Sequence, residues 1–181
     1  MTPAEAAAEL LVRRRARESF VGFCEWKLRE TEFKMALHHY VIAKALDNVE
    51  QGTCDRLMLM LPPGSAKSTY ASVYFPEYFL GRNPQLQVIS ASHTVELAEA
   101  FGRRVRNAVE ETGFQTMWNS TLAGDNAAAG RWATDKGGQY FAVGVGGSVP
   151  GRHDGINDCC PGGFNRDQGS RIAVRAAGRI H

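Results

Sequence analysis

Lys67, Ser68 and Thr69 follow the small-residue turn Gly64-Ser65-Ala66, which is itself preceded by Pro62-Pro63 and an apolar run over residues 57–61. An ammonium and two hydroxyls at the end of a flexible turn suit an anion, above all a polyphosphate. Backbone N–H groups of such a loop, and of the helix it enters, point at the anion, while the lysine amine reaches the outer phosphates. A serine hydroxyl directly after that lysine is placed to ligate the Mg²⁺ that travels with a nucleoside triphosphate. The two-glycine pattern G-x-x-x-x-G-K-[ST] is not kept: its glycines would fall at Leu61 and Ala66, and Gly64 is the only glycine of the loop. An ordinary strand-to-helix turn with a surface lysine is the competing reading.

The elements around the loop must position it. The run LMLML at 57–61 reads as a strand buried on both faces of a parallel sheet. Residues 70–80 then form a helix at least as far as Pro76, and the second apolar run, 86–92, is another parallel strand, which makes a βαβ unit with the first. Thr94 caps a further helix that carries Val95, Ala98, Phe101, Val105 and Ala108 on its inner stripe and stops at Gly113. Arg103, Arg104 and Arg106 on that helix are candidate contacts for DNA phosphates or for a neighbouring subunit's nucleotide. A solvated face paired with Glu99, Glu110 and Glu111 is the alternative. Residues 132–134 and 139–145, with a turn at 135–138, read as a β-hairpin or a pair of adjacent strands.

Ahead of the loop, Thr2, Pro3 and Glu5 carry the signature of a capped helix start, and Val12, Ala16, Phe20 and Phe23 continue it as one apolar face. Arg13, Arg14, Arg15 and Arg17 lie opposite, as a solvated face or as phosphate contacts. A second helix spans about 35–49, with His38, Ile42, Leu46 and Val49 on one side, so that His38 reads as packed. Stacking against an adenine ring is the other use for His38, Tyr40 or Phe33.

With 181 residues, 44% of them hydrophobic and 22% charged, the chain has the composition of a globular protein with room for one cored domain. A net charge of +2 is too mild to announce nucleic-acid binding. Cys24, Cys54, Cys159 and Cys160 show no zinc-type spacing and read as reduced thiols. There is no run of 18 apolar residues and no signal-peptide order at the N-terminus, so the expectation is a cytoplasmic protein without a membrane role.

Three segments in order, LMLPPGSAKSTYAS, then VISAS with its tail HTVELAEAFGRRVRN, and YFAVGVGGSVPGR, resemble the ATPase domain of the large terminase subunit of tailed bacteriophages. In that family a Pro-Pro-Gly-Ser-Ala-Lys-Ser loop replaces the two-glycine form. The resemblance covers about residues 15–152 and implies an ASCE-type P-loop motor that uses ATP to thread double-stranded DNA into a procapsid. It further implies portal protein and a small terminase subunit as partners, a possible homo-oligomer, and a setting in a phage- or prophage-bearing host cytoplasm. By the same likeness Gly64, Ser65, Ala66, Lys67, Ser68 and Thr69 bind ATP, Lys67 contacts the β- and γ-phosphates, and Ser68 contacts Mg²⁺. The family's acidic strand should follow Arg152, itself a candidate arginine or DNA contact. Asp158 is the candidate for the catalytic, Mg²⁺-holding acid there, but Cys159 stands where a second acid is expected.

The expected fold is therefore α/β: a mostly parallel P-loop NTPase sheet with an N-terminal helical layer and a doubtful last core strand. The expected division is a helical segment at 1–52, an incomplete ATPase core at 53–158 and an irregular tail at 159–181. That tail does not resemble a terminase, and the expectation is a truncated or frameshifted product without the nuclease domain. A small P-loop NTPase with another substrate and a non-catalytic DNA- or partner-binding protein are the alternatives.

Overall fold

The computed structural model describes residues 2–144 and 171–175; Arg152 and Asp158 lie outside the described residues. The chain divides into two compact units, Met1–Tyr78 and Phe79–His181.

The first unit opens on helix α1, Pro3–Glu18. Its cap is the expected one: the Thr2 N–H donates to Glu5 Oε2 at 2.6 Å, and the Glu5 N–H donates to Thr2 Oγ1 at 3.3 Å. The helix does not run on to Phe23. Ser19 adopts an extended conformation, ends α1, and caps helix α2, Phe20–Leu28, by accepting the Gly22 N–H. A serine hydroxyl competing for backbone donors explains the break, which apolar spacing alone does not reveal. Among the N-terminal arginines, Arg13 pairs with Glu9 at 2.7 Å and Arg14 with Glu18 at 2.8 Å. Glu9 also accepts from Arg29 at 2.6 Å, and the hydrogen bonds from Arg29 and Arg13 hold its carboxyl below the usual range.

Gly22 lies where α2 presses on the end of α1. A Cβ built there would sit 2.5 Å from the Arg15 carbonyl oxygen, and backbone cannot swing aside. Gly22→Ala is expected to cost about 1–3 kcal/mol in a urea-unfolding experiment, the range of overpacking changes; an unchanged midpoint would show that the two helices are free to separate.

Helix α3, Leu37–Glu50, buries Ile42, Ala43, Leu46 and Asp47. His38 is exposed, contrary to the expectation that it packs: the buried stripe starts one turn later, at Ile42. Asp47 is buried because Oδ1 accepts the Phe20 N–H at 3.0 Å, setting a carboxylate on the first turn of α2. Around this joint Phe20 meets Phe75 edge-on and Tyr78 at a tilt, both at 5.3 Å between ring centroids, and Phe23 meets Tyr78 at 5.4 Å. These rings form the core of the unit.

Residues 57–61 do not form the expected buried strand. They carry no strand assignment, and Leu57, Met58 and Met60 are 36%, 64% and 82% exposed. A strand is stable only when a neighbour satisfies its backbone groups, and among the described residues no ladder includes this run.

Past the loop the chain is continuously helical over 67–82: a first turn α4, Lys67–Thr69, a π-helical segment, Tyr70–Tyr74, and helix α5, Phe75–Arg82. Pro76 does not stop it. Proline lacks the N–H and crowds the carbonyl four residues earlier, and the wider turn just before it, closed by the Phe75 N–H on the Tyr70 carbonyl, relieves both demands.

The second unit holds a mixed sheet in the order β2-β3-β4-β1-β5. Strand β1 is Gln87–Ser92, β2 Leu122–Ala127, β3 Arg131–Thr134, β4 Gln139–Gly144 and β5 Arg171–Arg175. The chain is thus α/β, but the expectation of a mostly parallel sheet is corrected. Among the described residues only β1 and β4 pair in parallel, while β2-β3, β3-β4 and β1-β5 are antiparallel. With β4 on one edge and β5 on the other, β1 has no free edge for a further strand. β5 comes from the tail in which the sequence showed no strand period.

The connection from β1 to β4 carries helix α6, Val95–Glu110, capped by Thr94 as expected and burying Ala98, Gly102, Val105, Ala108 and Val109. Val95, expected inside, is exposed. The helix ends at Glu110, and Gly113 falls within a further short helix, α7, Thr112–Trp118, which is closed by left-handed Asn119. The hairpin β3-β4 is as expected, with Trp132 opposite Tyr140 in register and their rings stacked at 5.1 Å.

Candidate functional site

The loop between the exposed run and the helical segment turns twice through left-handed backbone. Gly64 has φ +83°, and Ala66 has φ 55° and ψ 14°. Glycine adopts that region without strain, whereas an alanine there costs about 1–2 kcal/mol. Ala66 is also the position where the two-glycine pattern would place its second glycine, a residue that adopts this backbone without strain. Such strain is held only where the surroundings over-determine it. Ala66→Gly is expected to raise the unfolding free energy by about 0.5 kcal/mol, the relieved strain less the greater freedom of an unfolded glycine. A loss of stability in chemical denaturation would mean that the left-handed turn is not formed in solution.

Immediately after Ala66 the helical run begins, and the Tyr70 N–H closes its first turn on the Ala66 carbonyl at 3.1 Å. The N–H groups of Lys67, Ser68 and Thr69 therefore stand at a helix start, where no intrahelical acceptor exists for them. Lys67 is half-buried; among the described residues its ammonium makes no ion pair or hydrogen bond. Ser68 is exposed and Thr69 partly so. The Ser65 hydroxyl is shielded from solvent and has no hydrogen-bond partner among the described residues. Leaving such a donor unsatisfied costs about 1–3 kcal/mol unless a ligand takes it.

The residue that sequence reasoning passed over is His39. Its Nδ1 accepts the Ala36 N–H at 3.1 Å, and its ring stacks on Tyr70 at 4.9 Å with 20° between planes. The signal was available in the cap: Ala36 has no side chain able to cap α3, so the third helical position must supply the acceptor. Of the three residues considered for stacking, Phe33 is exposed, Tyr40 donates its hydroxyl to Glu25 at 2.9 Å, and His38 lies exposed with its ring 3.9 Å from that of His39.

The structure thus brings Gly64, Ser65, Ala66, Lys67, Ser68 and Thr69 together as one turn and helix start. Arg103, Arg104 and Arg106 belong to α6 in the other unit. Arg103 lies 3.9 Å from Glu99, as the solvated-face alternative expects; Arg104 is exposed; and the Arg106 Nη2 reaches Asn107 at 3.5 Å. No group of three or more His, Cys, Asp or Glu side chains among the described residues could hold a metal ion. Among the same residues no helix is long and apolar enough to cross a membrane.

No protein-family model, no curated protein and no solved structure matches this chain. Its functional reading rests on the loop just described and on the resemblance carried by its sequence.

Proposed function

We propose that residues 62–69 bind the phosphates of ATP, and that the chain is the ATPase portion of a DNA-packaging motor of the large-terminase kind, working in a bacterial cytoplasm on double-stranded DNA with a portal protein and a small terminase subunit. The observation that carries the nucleotide reading is the backbone of the loop: left-handed Gly64 and Ala66 deliver the chain into a helix whose first residue is Lys67. A helix start of this kind offers N–H donors next to a lysine whose ammonium has no partner among the described residues, the two requirements for a polyphosphate. Ser65 offers a further donor that has no partner among the described residues.

The residues fit a Mg²⁺-nucleotide in part. Ser68 carries an exposed hydroxyl in the place suited to the metal, which when bound neutralises phosphate charge. The acid expected to complete that site, Asp158, lies outside the described residues. The chain's own contribution to phosphoryl transfer would be positioning by the loop and charge compensation by Lys67. DNA contact is assigned to the exposed side of α6, where Arg104 is open and Arg103 is held only loosely by Glu99.

Calorimetric titration with Mg-ATP, together with phosphate release with and without duplex DNA, tests the reading in the wild type and in Lys67→Ala. Binding that is lost in the variant, with turnover that is slow or stimulated by DNA, supports it. Fast turnover indifferent to DNA would point to a small NTPase of another substrate. DNA binding without nucleotide binding would leave a non-catalytic binding protein.

A further inference from the structure

We propose that the outer face of α1 docks against α1 of a second copy of this chain, the two helices packing antiparallel about a two-fold axis. The inference is independent of the nucleotide reading of the loop.

The side chains of α1 are distributed the wrong way round for a helix that stands alone. Ala6, Glu9 and Arg13 are partly buried and Ala16 fully so, a spacing of three and four that marks the side turned to α2. On that side Glu9 accepts from Arg29 at the end of α2. The charged pair Glu9 and Arg13 thus faces inward, while the opposite side, where charges ordinarily stand, presents Ala4, Ala7, Ala8 and Leu11 to solvent. Leu10 and Leu11 are 67% and 60% exposed, and Val12 is 37% exposed. A lone exposed leucine needs no explanation, but three large apolar side chains in succession, joined by alanines, form a continuous patch.

Charge decides what covers it. Glu5 and Glu9 lie in the first half of the helix, and Arg13, Arg14, Arg15 and Arg17 in the second. A copy laid parallel would set arginines against arginines. A copy laid antiparallel, with the axis near Glu9 and Leu10, seats each Leu11 on Ala7 and Ala8 of the other and brings each Arg15 beside the other's Glu5. Large side chains then meet small ones, and opposite signs meet at both ends. Arg15 is exposed, and its guanidinium makes no ion pair or hydrogen bond among the described residues. A lipid surface fits less well: with Glu18 the helix carries three carboxylates against four arginines, little net charge to attract anionic headgroups. One helix pair buries less than the roughly 1,200 Å² at which standard interfaces begin, so the dimer is weak, with a dissociation constant on the order of 10–100 μM.

Sedimentation equilibrium of the whole chain from about 5 to about 300 μM tests this on wild type, Leu11→Glu, Glu5→Arg and Arg15→Glu. Leu11 is exposed in the single chain, so Leu11→Glu should keep the fold and weaken self-association at least about tenfold. Glu5→Arg and Arg15→Glu should each weaken it about three- to tenfold, because each sets like charges together twice per dimer. Mixed in equal amounts, these two variants should associate about as tightly as wild type, since each clash becomes an opposite pair. A parallel pair would leave neither single variant weaker than wild type. If Glu5→Arg frays α1 by removing its cap, seen as lost helical ellipticity, Leu11→Glu and Arg15→Glu decide. A wild type that stays monomeric throughout, association indifferent to Leu11→Glu or to Arg15→Glu, or a mixture of folded variants no tighter than its parts overturns the proposal. So does a chain that stays monomeric yet binds phosphatidylcholine vesicles containing about 30% phosphatidylserine and loses that binding in Leu11→Glu, which would give the face to a lipid surface.

Discussion

Lys67→Ala is expected to weaken Mg-ATP binding by about 10- to 100-fold while leaving the unfolding midpoint almost unchanged. The first half follows from charge. A charge-assisted hydrogen bond is worth about 1.5–3 kcal/mol, and Lys67 is the only cation in residues 64–69: Gly64, Ser65, Ala66, Ser68 and Thr69 are all neutral. The second half follows from structure, because the ammonium has no partner among the described residues and its loss leaves no buried group stranded. Lys67→Arg should rescue little, since a planar fork does not replace a compact point charge at the end of a tight loop. Calorimetric titration and urea unfolding on the same preparations check both halves. Unchanged affinity in Lys67→Ala would remove the nucleotide reading, and a large loss of stability would show the lysine to be a structural group.

The largest expected effect on stability lies elsewhere in the same unit. Lys27 Nζ sits 3.1 Å from Glu77 Oε1, with side chains 13% and 0% exposed. Lys27→Met should cost about 3–5 kcal/mol, because it removes the cation beside a carboxylate that lies out of reach of water. Lys27→Met combined with Glu77→Leu should recover most of that loss, since a buried pair can be replaced by well-packed apolar side chains at little net cost. Equilibrium unfolding in urea of the two singles and the double variant closes the cycle. A single-variant loss below about 1 kcal/mol would mean that the pair is solvated in the native state. Cys24 reports on the same surroundings: burial, and then the charge of Glu77, push its thiol well above the ordinary range, so it is expected to stay unreactive in the folded protein.

What could be read from the amino acids was what depends on near neighbours. The Thr2 cap, the Thr94 cap, the strand at Gln87–Ser92 and the β3-β4 hairpin are each specified by a few adjacent side chains, and all are present. The run at 57–61 failed as a strand for the opposite reason. Its apolar residues suit a buried sheet, but whether they enter one depends on pairing partners far along the chain, and β1 already has both edges filled. Strand β5 and helix α7 were missed because their sequences carry no period long enough to show. At the candidate site the chemistry was legible in Lys67, Ser68 and Thr69, while the support was not. The His39 ring accepts the Ala36 N–H and stacks on Tyr70, a relation no spacing rule displays.

The π-helical segment at Tyr70–Tyr74 has a mechanical corollary. A π turn holds about one residue more than an α turn, so it works as a gear inserted between the lysine and the aromatic residues anchored in the core. Phe75 and Tyr78 fix one end of the shaft among Phe20 and Phe23, and the angular setting of Lys67 at the other end depends on that extra residue. Shortening the segment by one position would leave the anchor seated but swing the ammonium by roughly a quarter of a revolution. Both the count of residues between loop and core and their identity therefore aim the charge.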